Sequence, residues 1–481
     1  MENLKILFAS SEVVPFAKTG GLADVAGSLP KAIKAVGADI RVVMPKYKCI
    51  PQKYTEKMEL VSSFYVNIVW RRQLCGVYML EMDGVIYYFI ENDFYFNRDG
   101  LYGYFDQAEQ FTFFNRAFLE MLPHINFQPD VVHFNDWQTG IGSLLLESDY
   151  KELKFYKDMK SLFTIHNIKY QGIFPKEIMD SVLGLSWEYF HLNGLENNDQ
   201  VNFMKAGIAY SNIINTVSKT YADEIKYDFF GEGLNGIINR RSDDVYGILN
   251  GIDYDHNNPS TDKRLYVNYS TRSINGKYEN KKMLQEELKL PVKDVPLIGI
   301  ISRLVDQKGF DLIDCVIMEI LQMDIQLVVL GTGEYRYENM FRWASEVFPD
   351  KVSANIKYDD VLAQRIYAGS DMFLMPSLFE PCGLSQMFSM RYGTIPLVRE
   401  TGGLNDTVRP YNEFTGEGNG FTFSNYNAHD MLHTIRRAVE FYNNKPTWEM
   451  LVKRVMKEDF RWEKSASEYI ELYQKAIAKE F

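Results

Sequence analysis

Lys5-Ile6-Leu7-Phe8, followed by Lys18-Thr19-Gly20-Gly21-Leu22, reads as a buried strand and a glycine-paired loop that opens a helix. The design returns far down the chain, where Ile395-Pro396-Leu397-Val398 precedes Thr401-Gly402-Gly403-Leu404. Paired glycines at such a junction let backbone N–H groups come close to an anion, and the helix N-terminus adds partial positive charge. One Gly-Gly after a strand is ordinarily a tight turn. Two in separate halves, the first beside Lys18, point to a diphosphate held between two domains.

Outward from these loops, strands and helices alternate. The spacing predicts strands over 5–8, 40–44, 77–80, 85–90, 131–134, 162–165, 213–217 and 246–249, with Asp83-Gly84 as a hairpin turn. Helices are expected over 23–36, stopped by Gly37, and over 109–122, ended by Pro123. The turn-rich run from Asp255 to Asp262 is the best linker candidate. A second series follows, with strands at 297–301, 326–330, 352–356, 372–375 and 395–398 and helices at 310–321 and 384–392. Trp462, Ala466, Tyr469, Tyr473 and Ile477 recur at helical spacing in a closing amphipathic helix over 461–479. The pattern is α/β, with two Rossmann-like doubly wound domains that face each other across a cleft and bind ligands beyond the carboxyl ends of their strands. The expected divisions are 1–253, 254–458 and a terminal helix, 459–481, packing back on the first domain.

A chain of 481 residues is too long for a single core, which agrees with two domains. A net charge of −12 argues against nucleic-acid or anionic-membrane partners, so any phosphate site must be a local concentration of Lys and Arg. Cys49, Cys75, Cys315 and Cys382 form no CxxC pair or metal-ligand cluster, which fits a reducing, cytoplasmic compartment. Met1 to Phe8 does not read as a signal peptide, and no apolar stretch is long enough for a bilayer.

The cations fall where a diphosphate needs them. Ser302-Arg303-Leu304-Val305-Asp306-Gln307-Lys308-Gly309 follows the first strand of the second half. Arg303, Lys308 and Lys18 would stabilise the charge that grows on a leaving diphosphate, although salt bridges to Asp306 or Asp311 are the plainer use of the first two. His166-Asn167 follows a strand and can bond sugar hydroxyls, while a structural His is the common alternative. In Phe379-Glu380-Pro381-Cys382-Gly383-Leu384, Glu380 is either a hydroxyl acceptor or a helix cap. Asn135-Asp136-Trp137 and Tyr102-Gly103-Tyr104 are candidates for a second sugar, with a core Trp as the alternative. The pairs Asp243-Asp244 and Asp359-Asp360 read as surface charges rather than metal ligands.

Taken in order, KTGGLADV (18–25), HNIKYQG (166–172), SRLVDQKG (302–309), FEPCGL (379–384) and TGGLNDTV (401–408) carry a resemblance. The chain resembles the bacterial glycogen synthases and plant starch synthases that use ADP-glucose. The likeness runs nearly end to end and includes DGLYG (99–103), NDWQTG (135–140) and NGID (250–253). It implies a glycosyltransferase B fold and retaining transfer of glucose to the non-reducing 4-hydroxyl of an α-1,4-glucan, with neither cofactor nor metal. It implies that Glu380, Lys308, Arg303 and His166 carry the chemistry. Lys18 and the backbone of Gly20, Gly21, Gly402 and Gly403 would hold diphosphate. Asn167 would contact the glucose beside His166 and Glu380, helped by amides near Cys382, Gly383 and Leu384. Tyr358 would stack on adenine. Asp24, Tyr102, Asp136, Trp137, Asn250 and Thr401 complete the substrate-binding set. Asn257, Gln110 and Leu378 depart from the family's usual residues, and Phe388 stands where broader relatives carry a ribose-binding Glu. The rivals are a transferase for another nucleotide sugar, a phosphorylase-like enzyme, and a catalytically silent glucan binder.

Overall fold

The computed structural model describes residues 4–479. Met1 to Asn3, part of the N-terminal reading, lie outside the described residues. Two compact units divide the chain, one running to Gly251 and resuming at Trp462, the other spanning Ile252–Arg461.

The first unit is built on a nine-stranded sheet in the order β12-β11-β7-β6-β1-β2-β5-β4-β3. Its strands are β1 Lys5–Ala9, β2 Asp39–Pro45, β3 Glu59–Ile68, β4 Arg71–Met82, β5 Val85–Glu91, β6 Val131–Asn135, β7 Lys160–Ile165, β11 Ile213–Thr216 and β12 Val245–Gly247. A separate small sheet holds β8 Ile173–Pro175, β9 Glu196–Asn197 and β10 Gln200–Asn202. From β12 to β5 every pairing is parallel, and the apolar strands are buried on both faces, the reason they read as continuous runs. β4 pairs antiparallel with β5 through Asp83 and Gly84, whose φ values of 52° and 74° make the hairpin turn, and β3 pairs antiparallel with β4 at the edge.

The second unit is a six-stranded parallel sheet in the order β15-β14-β13-β16-β17-β18. Its strands are β13 Leu297–Ile301, β14 Gln326–Leu330, β15 Val352–Asn355, β16 Met372–Met375, β17 Ile395–Arg399 and β18 Phe421–Phe423. Both units are therefore doubly wound α/β domains. Among the described residues no helix is long and apolar enough to cross a membrane.

The linker and the helix stop at Pro123 differ from expectation. The 255–262 run, expected as the linker, lies within the second unit, where Asn257 and Asp262 are 4% and 7% exposed and Asp262 accepts a 2.6 Å bond from the Tyr392 hydroxyl. The chain changes unit between Gly251 and Ile252 and returns between Arg461 and Trp462, where a Cβ on Gly251 would lie 2.8 Å from the Trp462 nitrogen. Pro123 does not end its helix, Gln107–His124, but sits in the last turn, where the Leu119 carbonyl that it cannot reach accepts the Tyr156 hydroxyl at 3.1 Å instead.

The closing helix, Trp462–Ala478, buries Trp462, Ala466, Tyr469, Leu472, Tyr473 and Ala476 in the first unit. The Tyr473 hydroxyl meets His133 Nδ1 at 2.8 Å, and Asn215 Nδ2 donates to the Tyr469 hydroxyl at 2.9 Å.

Candidate active site

In the first unit, β1 leads through Ser10, Ser11 and Glu12 to the glycine loop. Lys18 Nζ pairs with Asp24 at 2.7 Å, in the first turn of the helix Gly21–Ala35. The Thr19 and Gly20 amides donate to Glu12 Oε2, the latter at 3.1 Å, while the Thr19 and Tyr102 hydroxyls each donate to Oε1 at 2.6 Å.

Neighbouring parallel strands β6 and β7 bring Asn135 and Asp136 beside His166 and Asn167. Asp136 Oδ1 accepts the His166 amide at 2.7 Å and the Asn167 amide at 3.4 Å. Asp136 holds φ at +56°, an uncommon conformation for a residue with a side chain and one that concentrates at functional sites. Burial raises its carboxyl pKa to about 7, against the lowering effect of those two amides. His166 Nε2 lies 2.9 Å from Asn135 Oδ1, and Asn135 Nδ2 donates to the Ala9 carbonyl at 3.0 Å. That second bond orients the amide, so Nε2 carries the imidazole hydrogen and Nδ1 is left as an acceptor. Burial lowers the imidazole pKa to about 3, so His166 is neutral and suited to bonding a hydroxyl. Asn250, 5% exposed, encloses an Oδ1 with no hydrogen-bond partner among the described residues.

In the second unit, Arg303 and Lys308 follow β13, and the segment from Phe379 to Leu384 follows β16. Lys308 Nζ donates to Glu380 Oε2 at 2.6 Å, and Ser377 Oγ donates to the same oxygen at 3.0 Å. Glu380 is 6% exposed, so a buried carboxylate sits in a charge-assisted pair. Asp306 is engaged by Arg336 and Tyr337, and Asp311 accepts a 2.5 Å bond from the Tyr426 hydroxyl. Tyr358, just past β15, is 82% exposed. The second glycine loop packs directly on the segment after β16. A Cβ at Gly402 would lie 1.9 Å from the Glu380 carbonyl oxygen, and one at Gly403 2.0 Å from that of Cys382. The Gly403 amide donates to the Glu380 and Pro381 carbonyls at 3.1 and 3.2 Å. Thr401, buried, precedes the short helix Gly402–Thr407, and its carbonyl accepts the Leu404 amide at 3.0 Å.

The family model described as "Starch synthase catalytic domain" matches residues 5–240, and that described as "Glycosyl transferases group 1" matches 283–451. The glycogen synthase of Desulforamulus reducens is 54% identical, with 98% of this chain and 99% of the relative covered. That of Clostridium novyi is also 54% identical, with 99% and 100% covered. The chain belongs to the glycogen synthase family. Among solved structures, the catalytic domain of starch synthase IV from Arabidopsis thaliana, bound to ADP and acarbose, superposes with a TM-score of 0.92 at 35% identity, covering 99% of this chain and 100% of that one. Sucrose-phosphate synthase from Thermosynechococcus elongatus, at 15% identity and a TM-score of 0.63, shares the fold and covers 99% and 100%. The protein is a glycosyltransferase of the glycosyltransferase B fold.

Within this family frame, several site expectations change. Gly20 is not available to an anion through its amide, which Glu12 holds. The Gly403 amide is committed the same way, and a Cβ at Gly402 or Gly403 would meet the backbone after β16. Trp137 is a core residue, 8% exposed, edge-on to Phe111 at 5.1 Å and closed off by the backbone of Gly172. The Tyr102 hydroxyl is bonded to Glu12 and Ser11 rather than free for sugar. Gln110 is wholly buried, and its amide donates to the Tyr95 carbonyl at 3.1 Å. Three supporting residues escaped the sequence reading: Glu12, Asn135 as the His166 orienter, and Gln386. The last, fully buried, donates to the Cys382 and Gly383 carbonyls at 3.2 and 2.8 Å and holds the turn that bears Cys382, Gly383 and Leu384. Glu12 lies next to the first glycine motif, and its position before Lys18 was the available signal.

Proposed function

We propose that the protein transfers glucose from ADP-glucose to the non-reducing 4-hydroxyl of an α-1,4-glucan such as glycogen, with retention, and releases ADP. The carrying observation is the buried Lys308–Glu380 pair at 2.6 Å, set at the carboxyl end of the second unit's sheet. Lys18 from the first unit, with Arg303 and Lys308 from the second, would neutralise the departing diphosphate. Glu380, His166 and Asn167 would bond glucose hydroxyls, and Tyr358 offers an exposed ring to adenine. The bond from C1 to the diphosphate oxygen breaks as the bond to the acceptor O4 forms on the same face. The acceptor proton passes to the departing phosphate oxygen. Glu380 is already bound to Lys308 and Ser377, which suits a hydroxyl acceptor better than a nucleophile of the two-carboxylate kind. The four free cysteines, two of them exposed, support a reducing, cytoplasmic setting.

The test is direct. With glycogen present, ADP-glucose yields ADP and longer glucan, and UDP-glucose yields little UDP. Equal turnover of both donors, or none of either, overturns the assignment.

A further inference from the structure

The glycine loop of the first unit is held by a carboxylate that the chemistry above does not use. Glu12 is 4% exposed, and its backbone is fixed by Ser10, whose hydroxyl donates to the Glu12 carbonyl at 2.7 Å. Its side-chain partners divide by oxygen. Oε2 accepts the backbone amides of Thr19 and Gly20, whereas Oε1 accepts the hydroxyls of Thr19 and Tyr102. Tyr102 also meets Ser11 Oγ at 2.9 Å, so one carboxylate joins the glycine loop to the loop after Asp99. A ligand anion that claimed these amides would have to displace an intramolecular one and leave its Oε2 buried without those donors, which is unfavourable.

We propose that Glu12 is a positioning residue: it fixes the glycine loop from behind and thereby places Lys18 and the helix end at Gly21 for the donor diphosphate. The amides of Thr19 and Gly20 are anchor points, not phosphate ligands. This rests on the donor reading given above. It also makes a chemical distinction that a simple packing role does not. The two amides can only donate, so one oxygen must stay an acceptor. The two hydroxyls can turn and accept. A glutamine with its oxygen toward the amides and its NH2 toward the hydroxyls therefore satisfies every partner without the charge.

The full-length chain is compared as wild type, Glu12→Gln, Glu12→Ala and Thr19→Val. Hydrogen exchange at the Thr19 and Gly20 amides is read together with KM for ADP-glucose and for glycogen. Glu12→Gln keeps the amides slow to exchange and the donor KM within about threefold of wild type. Glu12→Ala frees the amides and raises donor KM about tenfold, the scale of one lost hydrogen-bonded anchor, with glycogen KM unchanged. Thr19→Val, which removes only a hydroxyl, gives a smaller rise and decides the matter if Glu12→Ala does not fold. Unchanged exchange in the alanine variant, or donor and acceptor KM rising together, overturns the proposal. So does a Glu12→Gln variant as impaired as Glu12→Ala, and so does a donor KM left unmoved by Thr19→Val. Should the wild type release no ADP, the donor reading fails, while amide exchange still judges the anchor.

Discussion

Lys308 and Glu380 show how a single contact serves two ends. On the proposed reading Lys308 would meet the leaving diphosphate, and beside Glu380 it also neutralises a buried carboxylate. Lys308→Ala therefore lowers turnover about a hundredfold, the scale of one lost preorganised charge. It also lowers the unfolding midpoint, because Glu380 is left buried with Ser377 as its neutral partner. Steady-state kinetics and thermal unfolding of the same preparation check both, and near-normal turnover would remove Lys308 from the chemistry. His166 and Asp136 make a second residue-scale case, in pH. The folded pKa of His166 is lowered to about 3, so its contribution to stability is complete above the unfolded value and is lost as pH falls from about 6.5 toward 3. Asp136, raised to about 7, works the other way: its contribution is complete below about 3.8 and is lost as pH rises toward 7. Between pH 7 and 5 the two offset each other, each by about 2 kcal/mol. Asp136→Asn keeps the acceptor for both amides and steepens the acid loss of unfolding midpoint, whereas His166→Gln flattens it. Parallel pH dependence in the three proteins would contradict the pairing.

At the scale of elements, the two glycine loops that look alike in sequence are held differently. Gly20 sits at an extended φ of −151° with nothing within 4 Å of an added Cβ. Gly403 has the Cys382 carbonyl oxygen 2.0 Å from that position. Gly20→Ala is therefore tolerated, with turnover within about threefold of wild type, while Gly403→Ala pushes the loop off the Glu380 segment and lowers turnover about a hundredfold, as a displacement near 1 Å at a reacting centre does. Equal effects of the two substitutions in one assay would refute this contrast. The same comparison marks how far the sequence reading reaches. Apolar runs such as Ile6-Leu7-Phe8 and Gln326–Leu330 are buried on both faces, so their strands were legible from composition alone. β3 was not, because its residues from Glu59 to Tyr65 are largely exposed and lack an apolar run. The site was legible as a set of motifs. Which loop amides are taken by the chain itself was not, since that depends on Glu12 and on the Glu380 and Pro381 carbonyls, contacts that no periodicity encodes.

At the scale of the whole molecule, the first unit is not continuous in sequence. Its sheet is completed by a helix that the chain makes only after building the entire second unit. That helix brings Trp462, Tyr469, Leu472 and Tyr473 into the core and supplies the hydroxyls that meet His133 and Asn215. Each large apolar side chain contributes about 1.5–3 kcal/mol on burial, and each abandoned buried polar group costs about 1–3 kcal/mol. Together these rival the whole stability of an ordinary domain, about 5–15 kcal/mol. Ending the chain after Arg461 therefore unfolds the first unit, while the second, whose core draws on none of these residues, stays folded. Hydrogen exchange resolves the two outcomes within one molecule. Amides of Val131–Asn135 and Lys160–Ile165, the strands that carry Asp136 and His166, lose protection, and those of Leu297–Ile301 and Gln326–Leu330 retain it. Protection that persists in Val131–Asn135 and Lys160–Ile165 would mean that the sheet holds without its last helix, and that the long return of the chain serves something other than the stability of the first unit.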